Sequence, residues 1–304
     1  MRKIPLTTAA LAVLGLTVVA LTGCSSSTTS ACERPVDDSG LADVVTVSGE
    51  FGSEATVDVY RPLTPTTTAS DDVIVGEGNA ITTDTQLVVV DLTVVSGEDD
   101  DAEPFYGSTR AVQLSELTGI FPGLSEGLRC ATEGSRVVVA LPADSIDAGT
   151  AQSVGLSEGD SAIAVVDLRQ VYLARAQGAD VFNSGLGLPS VVRATDGRPG
   201  VIVPDSAPPT DVVVETLIRG DGDVVTGDAP VRVNYTSVGW ESKTQTQTTW
   251  DASAPSITFG ADAPPFAESL IGHTVGSQVL VIVPGEAETQ IYVVDILGID
   301  AVEQ

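Results

Sequence analysis

Short apolar runs with polar residues set between them dominate the chain. Nine of them stand out: "VTVSGEF" (45–51), "TVDVYRP" (56–62), "QLVVVDLTVV" (86–95), "RVVVALP" (136–142), "AIAVVDL" (162–168), "VVVETLI" (212–218), "VRVNYTSV" (231–238), "QVLVIVP" (278–284) and "IYVVDIL" (291–297). Each is rich in Val, Ile and Thr, is bounded by Gly, Asp or Pro, and has the length of a strand. Helical spacing is confined to "FPGLSEGL" (121–128) and "PPFAESLIG" (264–272), each with a proline near its first turn. The pattern predicts mostly antiparallel sheet with a short helix in each half, an α+β class.

The two halves are copies of one another. "PGLSEGLRCATEGSRVVVALP" (122–142) lies on "PPFAESLIGHTVGSQVLVIVP" (264–284) without a gap. The identities include Pro122/Pro264, Leu128/Leu270, Thr132/Thr274, Gly134/Gly276, Ser135/Ser277 and Val139/Val281. Upstream, "GEGNAITTDTQLVVVDLT" (76–93) matches "GDGDVVTGDAPVRVNYT" (220–236) with one extra residue. A Pro- and Gly-rich stretch at 181–211 reads as the linker between the copies.

The N-terminus reads as a secretory leader. Arg2 and Lys3 precede an apolar run from Ile4 to Leu21, and small residues follow. The ending Leu21-Thr22-Gly23-Cys24 resembles the bacterial lipobox, which implies that Cys24 is acylated after removal of residues 1–23. A membrane-spanning helix is the alternative reading of the same run. The Ser/Thr-rich 24–45 stretch would be a tether, placing the protein on the extracytoplasmic face of the cell membrane. In that oxidising compartment Cys32 and Cys130 are the remaining pair, either bonded to each other or free. A formal net charge of −28 with no basic patch excludes a nucleic-acid partner. The acidity reads as a solvated surface.

Thirteen aromatic residues are spread thinly, yet Tyr235, Trp240 and Trp250 fall close together, with Asp251 next to the last. Alternation places Tyr235 on the same face as Val231 and Val233. Tyr235, Trp250, Phe266 and Tyr292 come from four elements and converge either as a pocket or as an ordinary core. Other chemistry is poorly supplied. His273 is the only histidine, so no His-rich metal site exists. There is no Gly-x-Ser-x-Gly elbow, and no helix follows the Gly-acid-Gly turns that could make them phosphate loops. The acidic run "EDDDAE" (98–103) reads as a solvated loop.

"VNYTSVGW", "TTWDAS", "ITFG", "PPFAESLIGHTVGSQVLVIVP" and "IYVVDIL" together resemble the FKBP-type peptidyl-prolyl cis-trans isomerases. The resemblance covers about 212–300 and, more weakly, about 70–175. It implies two tandem FKBP-like domains, at 46–180 and 212–304, each an antiparallel half-barrel sheet around one short helix. It carries the family's pocket onto Tyr235, Trp250, Asp251, Phe266 and Tyr292, with Ile257 and Phe259 adjacent, and leaves Trp240 as a packing residue. Asp251 would orient Tyr235 or a backbone group, or else cap a turn. In the first copy the same positions hold Leu92, Phe105-Tyr106, Leu124 and Ala164, so that domain is degenerate. The second copy also departs from the family: "VPGEAETQIYVV" passes almost directly to the last strand and lacks the flap loop.

The implied activity is rotation about X–Pro bonds in secreted or cell-surface proteins, by a lipid-anchored monomer that needs no metal or cofactor. A non-catalytic peptide-binding chaperone or adaptor is the alternative.

Overall fold

The computed structural model describes residues 32, 34, 39–182 and 185–301. The leader and the acylation expected at Cys24 lie outside the described residues. Among those described, no helix is long and apolar enough to cross a membrane.

All nine strands read from the pattern are present, with further ones between them. β1 (Val45–Ser48) and β2 (Thr56–Val59) form a hairpin. β3 (Ala69–Ile74), β4 (Leu87–Ser96), β5 (Phe105–Ser108), β6 (Val112–Gln113), β7 (Arg136–Leu141) and β8 (Ala162–Val171) make the first large sheet. Its order is β3-β7-β8-β4-β5, with β6 beside β4. The short strand β9 (Ala179–Asp180) precedes a second hairpin, β10 (Ser190–Arg193) and β11 (Pro199–Ile202). β12 (Val213–Arg219), β13 (Val231–Gly239), β14 (Gln245–Thr248), β15 (Ser256–Ile257), β16 (Gln278–Val283) and β17 (Gln290–Ile299) then build the second large sheet. Its order is β14-β13-β17-β16-β12-β9, with β15 beside β13. Every pairing is antiparallel.

The α+β expectation, with two tandem domains each wrapped round one helix, is corrected by this architecture. Strand makes up 37% and helix 11%, in four sheets with three short α-helices, so the fold is mainly β. The helices also divide unevenly. α1 (Leu114–Ile120), α2 (Gly123–Gly127) and α3 (Ala148–Ser153) all lie in the first half. At 264–272 the chain makes only a 3-10 turn, Ala267–Leu270. The aligned segment of the first half closes as the five-residue α2, so the two copies differ here.

The repeat is visible in the registers. Leu92 of β4 faces Val166 and Val94 faces Ala164, as Tyr235 of β13 faces Val294 and Ser237 faces Tyr292. Bulges recur at Asp72/Ile74 and Thr216/Ile218, and again at Val89/Val90 and Arg232/Val233. The shared Gly-acid-Gly and Thr-x-Gly-Ser motifs form one corner. Thr132 and Thr274 hydroxyls donate to the carbonyls of Gly76 and Gly220 at 2.6 and 2.7 Å. The amides of those glycines donate back to Ser135 and Ser277 at 2.9 and 3.0 Å. A Cβ on Gly220 would stand 2.0 Å from the Val275 carbonyl oxygen, which is why glycine is needed there.

The "VVV" runs are apolar on both faces because both faces are covered. On the inner face of the first sheet, Leu114, Leu117, Phe121, Leu124 and Leu128 pack against β4, β7 and β8. On its outer face the β1–β2 hairpin packs Val45 and Val59 against Val138 and Val165. The hairpin β10–β11, inside the stretch read as a linker, covers the outer face of the second sheet in the same way. There Val191 and Val201 sit over Leu280, Ile282, Ile291 and Val293. The outer faces also bury carboxylates: Asp91 and Asp167 on the first sheet, Asp295 on the second. Asp167 takes two charge-assisted bonds from Arg136, at 2.6 and 2.7 Å. Asp295 has only Gln278 at 2.7 Å and the Ala176 amide at 2.7 Å.

The halves are locked at their junction. Tyr172 is buried with Leu87, Ala254 and Leu297. Its hydroxyl donates to Asp300 at 2.7 Å, and Arg232 both bonds Asp300 at 2.8 Å and lies 5.7 Å over the tyrosine ring. A disulfide joins Cys32 to Cys130, pinning the start of the described chain to the first half.

Candidate functional site

Only part of the expected constellation comes together. Tyr235 projects from β13 to the inner face, beside Val231 and Val233. Pro264 and Pro265 set Phe266 at the head of the 3-10 turn, where the Ala267 amide bonds the Pro264 carbonyl at 2.9 Å. Tyr292 comes from β17. The three rings meet with centroids 5.0 Å apart for Tyr235–Phe266 and for Phe266–Tyr292, and 6.4 Å for Tyr235–Tyr292. Tyr235 and Tyr292 meet edge-on at 60°, while Phe266 is tilted by 54° and 47° to them. Ile257 and Phe259 pack on the same cluster.

The depth of this arrangement matters for what it can do. Tyr235 and Phe266 are 7% and 1% exposed, while Tyr292 and Phe259 are half-buried. Cavities of about 220 and 240 Å³ lie elsewhere, at the junction of the halves and beside β3, and neither is lined by the rings. Tyr292 and Phe259 thus form the outer rim of the cluster, over a buried floor of Tyr235 and Phe266. Burial raises the phenol pKa values of Tyr235 and Tyr292. Both hydroxyls stay protonated near neutral pH, and that of Tyr235 is engaged by Gln247 of β14.

Trp250 and Asp251 stand apart from the three rings. They lie in the turn after β14, which Thr249 fastens to β13. The Thr249 hydroxyl accepts from the Tyr235 amide at 2.9 Å, and the Thr249 amide donates to the Tyr235 carbonyl at 3.0 Å. Trp250 is half-buried, and its Nε1–H is buried with no hydrogen-bond partner among the described residues. Asp251 is exposed and points to Arg198, whose Nη2 donates to it at 2.6 Å and to the Trp250 carbonyl at 3.2 Å. Arg198 holds the Asp251 carboxyl below the usual range. No hydrogen bond joins Asp251 to Tyr235 among the described residues; its carboxylate is turned to Arg198 instead. Arg198 sits in the turn of the outer hairpin, and nothing in the sequence around it signals that it reaches the 250–251 turn.

Trp240, expected to pack, is 3% exposed on the outer face, and its Nε1 donates to the Ser206 carbonyl at 3.0 Å. His273 is partly buried, which lowers its pKa, and its Nδ1 lies 3.5 Å from the Thr216 hydroxyl. No group of three metal-ligating side chains occurs among the described residues.

The same face in the first half is filled by its own chain. Leu92, Leu124 and Ala164 are fully packed, and Ala151, Val154 and Leu156, from the 142–161 connection that includes α3, join that core. In the second half six residues, 284–289, link β16 to β17, and nothing equivalent covers Tyr292 and Val283 among the described residues.

No family model and no curated protein matches the sequence. Solved structures do match. The crystal structure of the three FKBP domains of wheat FKBP73 is 11% identical and covers 76% of this chain and 94% of that one, with a TM-score of 0.32. FkpA from Escherichia coli is 22% identical over 34% of this chain and 47% of that one, at a TM-score of 0.25. A putative peptidyl-prolyl cis-trans isomerase, FKBP12 from Mycobacterium tuberculosis, is 22% identical over 31% and 87%, also at 0.25. Superpositions this loose carry no argument about activity, which is left to the residues of the site.

Proposed function

We propose that the second half takes up X–Pro segments on the ring cluster and accelerates rotation about the prolyl bond. The observation that carries this reading is the meeting of Tyr235, Phe266 and Tyr292 on an inner face left open at Tyr292. The resemblance of these segments to FKBP-type isomerases points the same way.

The chemistry asks for little else. Rotation meets a barrier of roughly 18–20 kcal/mol because the twisted amide loses its resonance. The twisted amide also has less charge separation than the planar one, so an apolar aromatic surface favours it over the ground state. Aromatic rings grip the pyrrolidine and fix its orientation, which supplies the rest. Trp250 lies in the turn that Thr249 fastens to the Tyr235 backbone, and Asp251 takes no part, since Arg198 engages it. The first half acts as scaffold, its own face being occupied. Acylation of Cys24 would hold the molecule on the extracytoplasmic side of the membrane as a monomer, where proline isomerisation slows the folding of secreted chains by tens of seconds.

Two observations favour the other reading, a peptide-binding module without catalysis: the short 284–289 connection and the diverted Asp251. Refolding of a protein limited by a single X–Pro bond separates them. The chain from Ser25 onward should speed the slow phase in proportion to its concentration, and Tyr292→Ala should abolish that effect. A slow phase unchanged by micromolar wild-type protein would sink the isomerase reading.

A further inference from the structure

The repeat supplies an internal comparison at the sheet edges. β12 is the edge strand of the second sheet proper, and β9 lies along its outer side, with Ile218 facing Asp180 and Arg219 facing Ala179. The Val181 amide adds a bond to the Leu217 carbonyl at 3.0 Å. β3 occupies the same place in the first sheet, with Ile74 equivalent to Ile218 through the shared bulge. No strand pairs with its outer side among the described residues. The consequence shows in exposure: Ile218 is 8% exposed, whereas Val73, Ile74 and Val75 are 48%, 40% and 72% exposed.

A cavity of about 240 Å³ runs beside this edge, between β3 and the β1–β2 hairpin, lined by Leu41, Val45, Val47, Val73 and Val138 together with Asp71. An extended segment added to β3 would pair with the outer backbone groups of the edge, which no described strand engages. Its alternate side chains would enter that apolar groove. The end of this edge, Val73 and Ile74, is exposed and apolar, while Asp71 and Asp72 charge the rest of it.

We infer that the free edge of β3 is a docking site for an extended peptide strand of alternating basic and apolar residues, held as β9 is held on β12. The sign of the charge decides the occupant. Asp71 lines the groove, Asp72 is already engaged by Arg34 at 2.6 Å, and the chain carries a net charge of −28. Two copies meeting edge to edge would bring like charges together, whereas a Lys- or Arg-bearing strand is attracted. The site lies on the first half and is independent of the ring cluster of the second.

The test is an NMR titration of the chain from Ser25 onward with the acetylated, amidated peptide Lys-Val-Lys-Val-Lys-Val-Lys. The expected result is shifts at residues 71–75 and 45–47, with slowed hydrogen exchange along 71–75. Val73→Lys with Val75→Lys, both exposed positions, should weaken binding at least tenfold, and Tyr292→Ala should leave it unchanged. Any of three results overturns the proposal: no shift on β3 at millimolar peptide, equal affinity for the double variant, or shifts scattered over the acidic surface that vanish with salt. Sedimentation showing a dimer whose 71–75 amides are protected would assign the edge to a second copy and would also overturn it.

Discussion

Substituting Asp295 by asparagine tests the packing of the second half where its charge arrangement differs from the first. Asp295 is 1% exposed on the outer face and receives hydrogen bonds from Gln278 and the Ala176 amide. Burial pushes its carboxyl up to about 6, against those two bonds and the more distant Arg193 and Arg175. In the unfolded chain the same group titrates at about 3.9, so the gap corresponds to roughly 3 kcal/mol. Because the native pKa is the higher one, the folded state binds the proton more tightly. The stabilisation is complete below pH ~4 and is lost as pH rises through about 6. The carboxamide of the variant has no such titration. Urea unfolding, followed by the fluorescence of Trp240 and Trp250, should therefore show the variant gaining on wild type by up to ~3 kcal/mol between pH ~4 and ~7.5. Both tryptophans lie in the second half, so the signal reports the right sheet. His273 titrates in both proteins and cancels in the difference. Gln278→Arg, which copies the Arg136–Asp167 pair, should lower the Asp295 pKa. Parallel pH profiles for wild type and Asp295→Asn would refute the reasoning.

Arg136→Ala should be among the most damaging single changes, since it leaves Asp167 buried and unpaired, at a cost of about 3–5 kcal/mol measurable by denaturant unfolding. Gly220→Ala places a Cβ 2.0 Å from a backbone oxygen, and the corner must open, costing roughly 2–3 kcal/mol of stability. Arg198→Ala should raise the Asp251 pKa toward the ordinary carboxylate value in an NMR titration and leave prolyl-bond acceleration unchanged, because Asp251 takes no part in it.

Much of the architecture was written in local pattern. The strands with alternating or continuous β-branched runs were legible because burial on one or both faces demands that composition. The repeat was legible through Thr132, Gly134, Ser135 and their counterparts, which close the same corner twice. The β10–β11 hairpin was not. Its Asp196-Gly197 turn sits between apolar pairs, but the surrounding prolines and glycines read equally as linker, and only docking on the second sheet distinguishes the two. The helix expected at 264–272 is a 3-10 turn, although the aligned segment of the first copy closes as α2. Within the site, the inner-face position of Tyr235 follows from strand alternation, whereas Phe266, at the head of a turn, and Tyr292 were assigned through the resemblance. Asp251 did not follow, because its partner Arg198 lies 53 residues away in sequence and arrives only through the tertiary placement of a hairpin.

The most direct test of the functional account is exchange spectroscopy on a short Leu-Pro peptide with substoichiometric protein, comparing wild type, Tyr292→Ala and Trp250→Ala. The account predicts that wild type raises the cis–trans exchange rate above the uncatalysed value, that Tyr292→Ala returns it to that value, and that Trp250→Ala reduces it. Peptide resonances that shift on addition of wild type while the exchange rate stays uncatalysed would contradict it, and would leave a binding surface in place of an isomerase.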